Sequence, residues 1–131
     1  MKAKAEEYAK YYKNHLINEC LPFWDRCIDQ ECGGYFTCFD REGNLTDSNK
    51  YVWFQGRQVY LVEHCYAGNG RWNLRLDRAG NVLVGTIAIY ADLHCIQGMA
   101  EFMTATQGVL EEGMQILRDS YDVLEKNMFD P

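Results

Sequence analysis

Apolar side chains recur along this chain mainly at helical spacing. Tyr8, Tyr12, Leu16 and Cys20 stand four residues apart, flanked by Tyr11, His15 and Ile17, a pattern that predicts an amphipathic first helix. Pro22 is expected to end it, because the residue before a proline is pushed away from helical torsions. Phe23-Trp24-Asp25-Arg26 to Glu31 reads as an irregular connection with at most one helical turn. Gly33-Gly34 lets the backbone reverse, Tyr35 to Phe39 alternates as a short strand, and Asp40-Arg41-Glu42-Gly43-Asn44 supplies turn residues. A second helix is expected from an N-cap at Asp47 or Ser48 until Ala67-Gly68-Asn69-Gly70 stops it. Tyr51, Val52, Phe54, Val59, Leu61 and Val62 make it apolar on nearly every side, as in a helix buried between two layers. The last helix is plainest: Leu110, Met114, Leu117, Tyr121, Leu124 and Met128 form one packing stripe, with Glu111 and Glu112 suited to the dipole of the first turn.

A repeat links two of these elements. Asp40-Arg41-Glu42-Gly43-Asn44 recurs as Asp77-Arg78-Ala79-Gly80-Asn81, and the same offset carries Trp53, Arg57, Tyr60 and His64 onto Tyr90, His94, Gln97 and Glu101. Two copies of a strand turn followed by a helix are expected, each helix placing an aromatic and polar residues on one face.

The chemistry concentrates on the first of those faces. At about 100° per residue, Trp53, Arg57, Tyr60 and His64 project together. A guanidinium cannot shed its proton, so a buried Arg57 needs either a carboxylate or a polar cavity in which ligand oxygens satisfy it. His15 sits beside the first helix's stripe and reads as a core or rim residue.

Composition narrows the class. The 131 residues suit one domain, residues 1–131, with a single core, and 47% hydrophobic with 14% aromatic content argues for a globular chain rather than disorder. A formal charge of -6 disfavours nucleic acid or an anionic membrane as partner. No apolar run reaches spanning length, and Met1-Lys2-Ala3-Lys4-Ala5-Glu6-Glu7 lacks the apolar core of a secretory leader, so a cytoplasmic location is expected. The six cysteines contain no C-x-x-C pair and read as buried free thiols, while His64-Cys65 and His94-Cys95 keep a metal or redox role as an alternative.

Leu21-Pro22-Phe23-Trp24, the run Gly33-Gly34-Tyr35-Phe36-Thr37-Cys38-Phe39-Asp40-Arg41 and then Trp53-Phe54-Gln55-Gly56-Arg57 resemble the N-terminal part of the N-acylglucosamine 2-epimerase family. Tyr8 to Cys20 is similar to the family's first helix, and Leu76-Asp77-Arg78 through Tyr90-Ala91-Asp92 to Ala100-Glu101-Phe102 is similar to its next strand turn and inner helix. The resemblance implies an all-α fold, here a half barrel of about four helices from an (α/α)6 toroid with short hairpin pieces. It implies a truncated epimerase or aldose–ketose isomerase acting on a sugar or amino sugar without cofactor, with Arg57 as the catalytic residue aligned with the family's site. Trp53, Arg57, Tyr60 and His64 would then be substrate-binding.

Two departures qualify it. Gly68-Asn69-Gly70-Arg71-Trp72-Asn73 stands where the family has an outer helix, which implies an internal deletion and uncovers apolar surface that a second copy could bury in a homodimer. None of His15, His64 or His94 matches the family's acid–base histidines, so the chain alone is expected to be non-catalytic. A non-catalytic carbohydrate-binding or dimerisation module is the alternative.

Overall fold

A computed structural model describes residues 2–58, 65–108 and 111–129. It is dominated by helices, with small antiparallel sheets between them. The N-terminal helical body comprises α1 (Lys2–His15), a π-helical turn (Leu16–Cys20) and α2 (Leu21–Arg26). Pro22 does not end it. The Leu21 N–H donates to the Leu16 carbonyl, five residues back, so one wide turn takes up the bond that proline cannot make, and the helix continues with Pro22 in the first turn of α2.

Two short hairpins carry the repeat. β1 (Cys38–Phe39) pairs with β2 (Leu45–Asp47), and β3 (Lys50–Tyr51), β6 (Arg75–Leu76) and β7 (Val82–Val84) form an antiparallel sheet in the order β3-β6-β7. Only Cys38 and Phe39 of the expected strand from Tyr35 enter a ladder. The turns joining β1 to β2 and β6 to β7 share one geometry: the Asn44 N–H and side-chain amide donate to Asp40 at 2.8 and 2.9 Å, and those of Asn81 donate to Asp77, both at 2.8 Å. Gly43 and Gly80 take φ of 86° and 94°, where a Cβ would be strained. These bonds favour the ionised carboxylates and hold the Asp40 and Asp77 pKa values below the ordinary one, the asparagine side chain contributing most.

Helix α3 (Val52–Arg57) starts later than the cap signal implied. Tyr51 is its N-cap, without a side-chain bond, because Lys50 and Tyr51 are held in the sheet and the Val52 N–H donates to the Leu74 carbonyl. Gln58 is its C-cap. Val59, Leu61 and Val62 of the long apolar helix lie outside the described residues. β4 (Tyr66–Gly68) and β5 (Arg71–Trp72) form a hairpin in the place assigned to the missing outer helix.

Helix α4 (Ile89–Ala105) and α5 (Glu111–Phe129) complete the chain. The core lies where α3, α4 and the hairpins meet: Val52, Cys65, Trp72, Leu76, Ala91 and Cys95, with Tyr66, Met99 and Ile116 against it. Trp72 reaches α5, donating its indole N–H to Ser120 Oγ at 3.0 Å. Helix α5 packs through Ser120 and Leu124, whereas Tyr121 and Met128 of the expected stripe are exposed because the buried face is turned away from them. The first helix departs further. No residue of α1 is buried, and His15, expected at a core or rim, is exposed with the whole tyrosine face. Cys27, Cys65 and Cys95 are buried thiols, Cys20 and Cys38 are half-buried, and Cys32 is exposed.

Candidate functional site

The site grows from the crossing of α3 and α4. Gly56 and Gly98 face each other there with no side chain between. A Cβ on Gly98 would strike the Gly56 carbonyl oxygen, and one on Gly56 would lie 2.8 Å from His94 and Cys95 backbone atoms. This close approach leaves a cavity of about 320 Å³ beside the crossing, lined by Gly56, Arg57, His94, Gln97, Gly98 and Glu101. His94, Gln97, Gly98 and Glu101 follow i, i+3, i+4 and i+7 along one face of α4. The volume lies at the lower end of the range for small-molecule pockets.

Its polar groups are available for a ligand. Arg57 is exposed at the rim, on the last turn of α3, and makes no ion pair among the described residues. This corrects the expectation of a buried arginine: the apolar helix reaches its C-cap one residue later, and the side chain leaves the packed layer there. His94 Nδ1 is buried without a hydrogen-bond partner, and a buried polar atom left unpaired is costly unless something else completes it. The His94 ring lies 6.0 Å from that of Trp53, which forms an aromatic wall with Phe54. A guanidinium, an imidazole, a carboxamide and a carboxylate together can donate to and accept from a polyhydroxylated molecule.

The surroundings hold this crossing in place. Gln55 is fully buried, and its amide accepts from the Tyr35 N–H at 2.8 Å and donates to the Tyr35 carbonyl at 2.9 Å, clasping the glycine turn to α3. Behind β3, Asp29 accepts a fork from Arg78, Nε at 3.0 Å and Nη2 at 3.1 Å, while buried Lys50 places Nζ 3.2 Å from the same carboxylate and donates to the Arg78 carbonyl at 2.7 Å. The Arg78 bonds outweigh burial and hold the Asp29 carboxyl well below the usual carboxylate range. On the far side, Asp92 accepts from the Trp72 N–H at 2.8 Å and from Arg71 Nε at 2.9 Å, fixing β5 to α4. Burial nevertheless raises its pKa. Burial likewise pushes the Cys95 thiol up, with Cys65 and Asp92 nearby adding to the effect.

Of the four sequence-chosen site residues, Arg57 lines the cavity and Trp53 stands beside His94; Tyr60 and His64 lie outside the described residues. The residues that the selection omitted are His94, Gln97 and Glu101. The repeat had already marked them, since the offset that carries one turn onto the other carries Arg57, Tyr60 and His64 onto these three positions. Tyr90, the fourth equivalent, is exposed and absent from the lining. Among the described residues, no three His, Cys, Asp or Glu side chains are grouped so as to hold a metal ion. Among them, too, no helix is long and apolar enough to cross a membrane.

Comparison with curated proteins bears on what such a site serves. The chain is 42% identical over 67 residues to N-acylglucosamine 2-epimerase of Bos taurus, covering 48% of this chain and 16% of that enzyme. It is 47% identical over 51 residues to the enzyme of Homo sapiens, with 38% and 12% covered. Part of this chain is therefore similar in sequence to a part of N-acylglucosamine 2-epimerase. The enzyme of Rattus norvegicus gives 45% identity over 67 residues, again 48% of this chain and 16% of the relative. The chain thus matches a small part of the epimerases' length. No family model matches it.

Proposed function

We propose that this protein is a truncated member of the N-acylglucosamine 2-epimerase family, a single domain forming part of a helical toroid, whose α3–α4 cavity binds a sugar or amino sugar in the cytoplasm. The observation that carries this reading is the convergence of Arg57 with His94, Gln97 and Glu101 on one cavity. In that reading Arg57 holds a sugar oxygen next to the reacting carbon, where its guanidinium stabilises negative charge on an enediolate. Trp53, Tyr60 and His64 complete the substrate-binding face.

Epimerisation beside a carbonyl removes a proton from one face of a carbon and returns one to the other, which takes two positioned acid–base groups. Neither His94, which lines the cavity, nor His64 of the proposed face matches the positions of the family's acid–base histidines. The reading is therefore of a fragment that binds without turning over by itself, and this favours a carbohydrate-binding module over an independent isomerase.

Titrating the protein with N-acetylglucosamine, glucosamine and mannose while following backbone amide NMR resonances tests it. Saturable shifts at Gly56, His94 and Gly98 are expected, lost in Arg57→Ala, with no change in the sugars' anomeric and C2 proton signals over days in D2O. Shifts absent at about 50 mM sugar, weaker than any functional pocket of this size should bind, would remove the sugar site. Loss of the C2 proton signal would instead show an active isomerase.

A further inference from the structure

Two full charges line the α3–α4 cavity, Arg57 from one helix and Glu101 from the other. Both are exposed, and neither is paired with the other or with any other described side chain. A guanidinium only donates hydrogen bonds and a carboxylate only accepts them, so the two ask opposite things of a ligand.

The remaining polar side chains of the lining sharpen that contrast. His94 Nδ1 is buried with no partner. A bare lone pair is tolerated better than a bare N–H, which in the neutral ring puts the proton on Nε2 and makes this imidazole a donor. Gln97 both donates and accepts. Among the described lining residues, Glu101 is thus the side chain that can only accept, and the one that carries negative charge.

Hydroxyl groups donate and accept, so they satisfy Arg57, His94 and Gln97 without discrimination. Glu101 does discriminate, because a charged N–H donor holds a carboxylate more strongly than a neutral hydroxyl does. By the sugar-site reading above, on which this inference rests, Arg57 takes the oxygen beside the reacting carbon. In a 2-amino sugar that carbon carries the nitrogen. Guanidinium and carboxylate then receive neighbouring substituents of opposite demand, an oxygen and a protonated amine. Acylation of the nitrogen replaces the cation with a neutral amide and forfeits the second contact.

We propose that Glu101 is a specificity-determining residue of this cavity, selecting a 2-amino sugar whose amine is free and protonated over its N-acylated and hydroxyl counterparts.

Amide NMR titrations of the full chain with glucosamine, N-acetylglucosamine and glucose test it, at about pH 6, where a sugar amine is charged. Glucosamine is expected to bind about fivefold more tightly than either of the others, the gain from one partly screened charge pair. Glu101→Gln should bring the three affinities together, Glu101→Asp should keep part of the preference, and about 0.5 M salt should shrink it. Glu125→Gln removes the same charge from an exposed position on α5 outside the lining, and should leave the ratio as it is. Far-UV circular dichroism checks that each variant is folded. Glucosamine binding no tighter than glucose overturns the proposal while the sugar site stands. A preference that survives Glu101→Gln overturns it too, since another group must then read the amine. Binding of none of the three sugars removes the sugar site itself, and the proposal with it.

Discussion

Replacing Gly98 with alanine sets a methyl group against the carbonyl oxygen of Gly56. The obstacle is backbone, so no rotamer change relieves it; α3 and α4 must move apart by roughly 1 Å to regain ordinary van der Waals separation. That displacement loosens Val52 on α3 from Ala91 and Cys95 on α4, all three fully buried in one cluster. Overpacking a tight contact costs about 1–3 kcal/mol, and a backbone clash belongs at the upper end. Alanine returns about 1 kcal/mol of helix propensity. The net expectation is about 2 kcal/mol of destabilisation, or a fall of about 8 °C in Tm for a chain of this size. Thermal and urea unfolding followed by tryptophan fluorescence and circular dichroism measure it, with Gly85→Ala as the control. At Gly85 the nearest atom to a new Cβ is Asn73 Oδ1 at 3.8 Å, an ordinary contact, so that variant should stay within about 1 kcal/mol of wild type. Because Gly56 and Gly98 also line the cavity, Gly98→Ala should weaken any sugar binding along with stability. A Gly98→Ala protein as stable as wild type, or stabilised by the propensity gain, would refute the idea that this helix pair is set by glycine-to-glycine contact.

Asp29→Asn should destabilise the chain by about 3 kcal/mol, because it strands the fully buried Lys50 ammonium, and urea unfolding at pH 7 measures this. The Asp29 pKa is depressed in the folded state, so its contribution is present above the ordinary carboxylate pKa and is lost as pH falls from about 4 toward its lower folded value; Asp29→Asn should flatten the stability profile over that acid range. Trp72→Phe keeps most of the apolar bulk but leaves buried Ser120 Oγ without its donor, costing about 1–2 kcal/mol by the same unfolding assay. Iodoacetamide should label exposed Cys32 in the native protein while buried Cys27, Cys65 and Cys95 react only after denaturation, as peptide mapping would reveal.

The parts of this fold legible in the sequence are those made by neighbours in the chain. The two Asp–Asn turns are self-contained, each closing through its own side chains and one glycine, so a five-residue echo was enough to find both. Helix α5 announced itself by period, and α4 by the offset that carries the first turn and helix onto the second. Pro22 misled because the rule for proline describes an α-helix, and a single wider turn evades it. The start of α3 misled because its first amide is satisfied by Leu74, 22 residues away and invisible to any local capping rule. The same distinction governs the site. The offset between the two repeats marked the residues of α4 that line the cavity, but only the contact of Gly56 with Gly98 brings that face against Arg57. Nor did spacing disclose the cluster of Asp29, Lys50 and Arg78, three charges spread across 49 residues. Yet that cluster ties β3, which leads into α3, to the turn after β6, which leads through β7 toward α4. The separation of the two cavity-forming helices is therefore held by an ion cluster built on buried Asp29 and Lys50 at their N-terminal approach and by bare backbone at their crossing, and neither restraint can be relaxed without moving Arg57 relative to His94.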